Sequence, residues 1–191
     1  MDDIVIKAMA KWPNVPHCFG WLGLDGRGCW YLRDQVAQAT GSFAHQGLDG
    51  VPDRASKGSK LTHEKLIGFI ERNYMADDIG QWYFQNGPQR VYVELEHAPW
   101  VWRIESVHAP VIVSHTGLFT QADAALVDER GLLYLHTALG LGLVHSQDMD
   151  LAAELLDAGQ WPLESVLRCD LPERFGYVLS PQAFVTAATG V

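Results

Sequence analysis

Cysteine, basic residues and uninterrupted apolar runs are all scarce in this chain, and each scarcity closes off a class of protein. Cys18, Cys29 and Cys169 are the only cysteines among 191 residues. An odd number with no close pair encodes neither a disulfide framework nor a four-cysteine zinc site, so each reads as a small buried residue. Lysine and arginine number 14 against 23 acidic residues, for a net charge of −9. Affinity for a polyphosphate backbone is built from clustered cations, so no nucleic-acid partner is expected. The longest apolar stretch, Leu132 to Val144, is interrupted by His136, Gly140 and Gly142 and falls short of the roughly 20 residues a bilayer requires. No membrane partner is expected either. Met1-Asp2-Asp3 lacks the cationic head of a secretory signal, which makes the cytoplasm the expected location.

Catalytic and cofactor templates are equally thin. There is no Gly-x-Ser-x-Gly elbow, and Gly140-Leu141-Gly142 lacks the third glycine of a phosphate loop. Of the eight histidines, His108 and His115 stand seven apart and no His-x-x-x-His or Cys-x-x-Cys pair exists, so neither metal nor cofactor is expected. His63-Glu64 reads as a solvated first turn of a helix. Glu94 and Glu96 share the strand face turned from the apolar one, which predicts solvated charge rather than an acid and base couple.

What is present is an ordinary globular composition, 48% hydrophobic and 19% charged, enough for a packed core. The acidity is uneven: 11 basic against 13 acidic residues up to Glu105, then 3 against 10. An anionic ligand should therefore prefer the first half. Internal similarity is the strongest organising signal. Asp25-Gly26-Arg27-Gly28-Cys29-Trp30-Tyr31-Leu32 aligns with Asp128-Glu129-Arg130-Gly131-Leu132-Leu133-Tyr134-Leu135, and Tyr83 to Gln89 resembles Tyr177 to Gln182 in the same order.

In the first copy, Gly20–Leu24 and Cys29–Arg33 read as a hairpin, since glycine supplies the turn with positive φ. Thr62 reads as the cap of a helix through Tyr74, and strands follow at 81–85, 90–96 and 100–105. In the strand over 90–96, Val91, Val93 and Leu95 lie on one face and Tyr92, Glu94 and Glu96 on the other, which predicts a sheet with one buried face. Asp34 to Lys60 reads as a long mobile loop. In the second copy, 121–144 gives strands, Ser146 caps a helix over 147–158 ended by Gly159, 166–169 and 177–179 give late strands, and Ser180-Pro181 opens a terminal helix. The expected fold is α+β: two repeated units of antiparallel sheet, each packed against a helix, over 1–105 and 106–191.

Trp12-Pro13 followed by Cys18 and Gly20, the turn from Asp25 to Trp30, the helix over 66–70, Trp82-Tyr83-Phe84, and Pro88 leading into Arg90-Val91-Tyr92-Val93-Glu94 and Ala98-Pro99 carry a resemblance. Over 12–105 the chain resembles a family of uncharacterised bacterial proteins defined only as a domain of unknown function. That resemblance implies a duplicated α+β architecture, a pleckstrin-homology-like second half, and a ligand site at the junction of the halves for a nucleotide-like signal.

The residues that could form such a site are Trp82, Gln85, Asn86 and Arg90, with Trp102 and Arg103 as a second cluster. Amides hydrogen-bond bases or carboxylates, aromatic faces stack, and the arginine fork reaches anions. The competing reading is a strand of core aromatics closed by an Asn86-Gly87 turn. The functional expectation is a non-enzymatic module binding a small molecule or protein, in signalling. The alternatives are a hydrolase or transferase whose His and acid residues meet only in three dimensions, and a homodimer joined through exposed tryptophans.

Overall fold

A computed structural model describes residues 1–12, 15–44, 54–106 and 111–189. In chain order the elements are α1 (Asp3–Lys11), β1 (Cys18–Leu24), β2 (Trp30–Leu32), α2 (Gln35–Thr40), α3 (Arg54–Lys57), β3 (Ser59–Lys60), α4 (Glu64–Arg72), β4 (Tyr74–Ala76), β5 (Trp82–Asn86), β6 (Gln89–Leu95) and β7 (Trp100–Ile104). They continue with β8 (Ile112–Ser114), β9 (Phe119–Thr120), β10 (Ala122–Val127), β11 (Leu133–Thr137), β12 (Gly140–Val144), α5 (Met149–Asp157), β13 (Leu163–Ser165), α6 (Leu171–Phe175) and α7 (Pro181–Thr189). The fold is α+β, with two sheets and helices near each. Two compact units result: residues 1–25, 29–96 and 177–191 form one, and 26–28 with 97–176 form the other.

The sheet of the first unit runs β3-β2-β1-β6-β5-β4. Every neighbouring pair is antiparallel except β1 and β6, which run parallel with Leu22 opposite Val93 and Leu24 opposite Leu95. Helix α4 forms because Leu66, Phe69 and Ile70 recur at helical spacing, and Phe69 meets Phe84 edge-on at 5.4 Å. Its cap is His63, whose Nδ1 accepts the Leu66 N–H at 3.3 Å; Thr62 lies one residue too early.

At β6 both faces of this sheet are covered, against the expectation of one solvated face. Tyr92, Glu94 and Glu96 are buried like Val93 and Leu95. Glu94 Oε2 accepts the Ser180 hydroxyl at 2.5 Å and its Oε1 the Gln182 N–H at 3.0 Å, so the carboxylate holds the first turn of α7. Glu96 pairs with Lys57 at 2.7 Å. Strand period puts the two glutamates on one face, and the elements that cover them come from distant sequence.

The expected loop over 34–60 holds α2, α3 and β3, with 45–53 outside the described residues. Its organiser is Arg33, 1% exposed. Nε donates to Ser56 O at 2.8 Å, Nη1 to Gly20 O at 3.3 Å, and Nη2 to Gly41 O at 2.6 Å and Ala37 O at 3.4 Å. A buried guanidinium is tolerable only when its donors are satisfied, and here backbone carbonyls do it. Gly23 is required where it stands, since the Phe43 ring occupies the space a Cβ would fill.

The sheet of the second unit runs β13-β10-β11-β12-β7-β8-β9. It is antiparallel except where β10 pairs with β13 and β12 with β7. Ala125, Leu126, Tyr134, Leu135, Trp102 and Ile112 make its core, joined by Ala152 and Leu155 of α5. The expected helix over 147–158 divides into a 3-10 turn at Ser146–Asp148, capped by His145 rather than Ser146, and α5. The strand expected over 166–169 is instead an extended exit from β13 followed by a 3-10 turn, Arg168–Asp170. Residues 177–179 form no strand, though Val178 N–H reaches Gly80 O and Leu179 O receives Leu95 N–H.

The two Asp turns are built alike. Asp25 Oδ1 accepts the Cys29 N–H at 2.8 Å, and Asp128 Oδ1 accepts the Leu132 N–H at 2.8 Å. Tyr31 hydrogen-bonds Asp25, and Tyr134 Oη donates to Asp128 Oδ2 at 3.2 Å. In each unit the first strand of this hairpin also takes a later strand in parallel: β6 beside β1, β13 beside β10. The second sequence match does not extend to structure: Tyr83–Gln89 spans β5 and its turn, whereas Tyr177–Gln182 leads into α7.

Candidate functional site

A strand that ends in a parallel pair leaves its last carbonyls and its exit loop facing a shared crevice. In the second unit β10 and β13 run side by side to Val127 and Ser165. Beyond them β10 enters the Asp128 turn, and β13 continues through Val166 and Leu167 to α6. Between these exits lies a cavity of about 520 Å³. Its apolar lining is Val127, Val166, Leu167 and Leu171; its charged lining is Asp128, Glu129, Glu164, Asp170 and Arg174. Ser165 completes it.

The charges are held in place. Arg174 grips Glu164 with both Nη atoms, at 2.6 and 2.7 Å, and that bond holds the Glu164 carboxyl below the usual range. Glu129 Oε2 accepts the Arg168 N–H at 2.8 Å, which lowers its carboxyl too. Asp128 is committed to its turn, accepting from Arg130 N–H, Leu132 N–H and Tyr134 Oη. Asp170 accepts the Cys169 thiol at 3.4 Å. That contact, reinforced by desolvation, pushes the thiol pKa up, opposite to the activation a nucleophilic cysteine needs. Four carboxyl groups face one guanidinium, so the cavity favours positive charge.

The residues expected to bind ligand lie elsewhere. Trp82, Gln85, Asn86 and Arg90 belong to the first unit, Trp102 and Arg103 to the second. Strand period places Trp82 and Asn86 on one face of β5 and Gln85 on the other, so the four do not line one surface. Trp82 packs 4.8 Å from Tyr74. Gln85 is 1% exposed and donates to Gly87 O at 2.7 Å, closing the turn at which Asn86 is exposed. Arg90 stands opposite Gln85 and lies 4.6 Å over the Tyr83 ring. Trp102 is fully buried and donates to Leu135 O at 2.9 Å. Arg103 grips Asp148 at 2.6 and 3.0 Å. Among the described residues no group of three or more His, Cys, Asp or Glu could hold a metal ion, and His108 lies outside them.

A family model named DUF2944 and described as "Protein of unknown function (DUF2946)" matches residues 1–182. The chain belongs to this family. A crystal structure of a DUF1285 family protein from Silicibacter pomeroyi DSS-3 is similar at a TM-score of 0.46 and 12% identity, over 81% of this chain and 85% of that one. Another from Shewanella baltica OS155 gives 0.40 and 14%, over 70% and 91%. No curated protein matches. Among the described residues of this DUF2944 chain no helix is long and apolar enough to cross a membrane.

The cavity of the DUF2944 chain was invisible to sequence reading for a definite reason. Its acids come from the Asp128 turn, an edge strand and a 3-10 turn, none with amphipathic period. The one available signal was the excess of acid after Ser106, which is the charge the cavity displays.

Proposed function

We propose that the chain is a non-enzymatic binding module whose second unit takes a small organic cation, a primary amine or guanidinium, into the cavity beyond β10 and β13. The observation that carries this is the cavity itself, about 520 Å³ with four carboxyl groups and one guanidinium in its lining. That volume lies in the range of about 300–1,000 Å³ common to small-molecule sites, which join apolar walls to a few placed polar groups. The bidentate Arg174–Glu164 pair supports the choice of ligand, because it is guanidinium recognition already realised in the lining. A nucleotide-like anion would meet the wrong charge here. The enzymatic alternative has Cys169 beside the cavity, and its raised thiol pKa speaks for an inert side chain.

Isothermal titration with agmatine, n-butylamine and adenosine monophosphate tests this. Agmatine and butylamine should bind, more weakly as salt rises, and the double variant Glu129→Gln, Asp170→Asn should weaken both about tenfold, as loss of two charge partners implies. Silence from both amines, or preference for the nucleotide, would overturn the proposal.

A further inference from the structure

β13 is an edge strand with an unused side. Its ladder to β10 is fixed by Ala125 N–H to Pro162 O and Val166 N–H to Val127 O, both at 2.9–3.0 Å, with Leu126 opposite Glu164. In a parallel ladder of that register the inward backbone groups belong to Pro162, Glu164 and Val166. The N–H and C=O of Leu163 and Ser165 therefore point outward, and among the described residues no strand pairs with that side. All three residues of β13 are exposed, Leu163 by 54%, and Leu167 just beyond by 55%. Natural edges are commonly covered or blunted, and this one is short but neither paired nor basic.

The cavity adjoins the same strand. Glu164 and Ser165 line it, so side chains of anything added to β13 on the Glu164 face would be led toward Glu129, Glu164 and Asp170. We infer that the outer edge of β13 accepts an extended basic peptide as an added strand, with one lysine or arginine side chain entering the cavity. The charge of the lining selects the basic residue, and the outward N–H and C=O groups select an extended backbone. Exposed Leu163 and Leu167 offer cover to apolar residues between the basic ones. Main-chain pairing supplies affinity in such complexes and pockets for alternate side chains supply specificity. This inference rests on the cavity reading above and adds the backbone to it.

The test uses the full chain and a labelled peptide roughly nine residues long, about a strand with its flanks, alternating lysine and valine, followed by fluorescence anisotropy. A glutamate–valine peptide and agmatine serve as comparators. The lysine peptide should bind about tenfold more tightly than agmatine, and the glutamate peptide should not bind. Leu163→Pro removes an outward N–H without touching the inward ladder or the cavity lining; it should weaken the peptide about tenfold and leave agmatine binding in place, whereas Leu163→Ala, which keeps the N–H, should weaken the peptide less. Because Leu163→Pro could unfold the edge, the same peptide with alternate backbone nitrogens methylated gives a second arm, with equal loss expected. If agmatine binds and the peptide binds no better, or if neither the proline nor the methylation matters, strand addition is overturned while the cavity reading stands. If neither probe binds, both fall.

Discussion

Ser180 donates its hydroxyl to Glu94 at 2.5 Å, across 86 positions of sequence, and thereby fixes the start of α7 to the middle of the first sheet. The same hydroxyl accepts the Ala183 N–H at 3.2 Å, so it caps the helix as it anchors it. Ser180→Ala should therefore cost about 1–2 kcal/mol, the usual loss when a charged buried acceptor is deprived of one donor. Urea denaturation would give the loss, and amide exchange over 177–186 should rise more than elsewhere. Unchanged exchange there would contradict the anchoring role.

Glu94 also predicts a pH dependence. Burial raises its pKa, the Ser180 and Gln182 hydrogen bonds and Arg33 only partly opposing. The folded state then binds the Glu94 proton more readily than the unfolded chain does. Stability from this group is greatest below the ordinary carboxylate range and falls as pH rises through the raised pKa. Comparing urea midpoints of the parent and Glu94→Gln from pH 4 to 8 isolates it, and the difference should grow in favour of Gln with rising pH. A constant difference would refute the assignment.

His115 works in the opposite direction. Desolvation of the imidazole lowers its pKa to about 3, and its Nδ1 accepts the Val101 N–H at 3.3 Å. The unfolded chain binds this proton first, so stability is fully present above the ordinary histidine value near 6.5 and is lost as pH falls toward 3. The loss should be on the order of a few kcal/mol by the usual conversion of pKa units. His115→Phe should shed the acid sensitivity between pH 6.5 and 4 in denaturation curves even if it lowers stability at neutral pH.

The two Asp turns should tolerate truncation unequally. Asp128 serves two N–H groups and the fully buried Tyr134 hydroxyl, while Tyr31, the partner of Asp25, is only half-buried. Asp128→Ala should cost roughly 2–3 kcal/mol and Asp25→Ala about 1 kcal/mol, since a stranded buried hydroxyl is the larger penalty. Restoring most of the loss with Asp128→Ala, Tyr134→Phe would show the hydroxyl to be the cause.

Much of the fold was legible because its signals are local. The Asp-x-Arg-Gly-x-x-Tyr-Leu echo announced the duplicated hairpin, and alternation along Val91, Val93 and Leu95 announced β6. Parallel pairing of β1 with β6 and β10 with β13 was not legible, because strand direction is set by connections rather than by period. The same limit hid the burial of Glu94, whose partners Ser180 and Gln182 arrive from the far end of the chain. Arg33 ends a hairpin in sequence, and nothing nearby marks it as the residue that holds Ala37, Gly41 and Ser56 together. The six candidate ligand residues combine aromatic, amide and guanidinium groups, and the structure places them in turns, ring contacts and an ion pair. The cavity's acids lie in turns and an edge strand, where no period marks them.

The clasp between Glu94 and residues 180–182 bears on the order of assembly on the ribosome. The second unit is almost continuous, residues 97–176 with only 26–28 added, and its segments emerge together. The first sheet must wait for 177–189 before Glu94 gains its partners and α7 covers its share of β1 and β6. Until then the Glu94 carboxyl lacks the Ser180 and Gln182 donors that hold it in the folded chain.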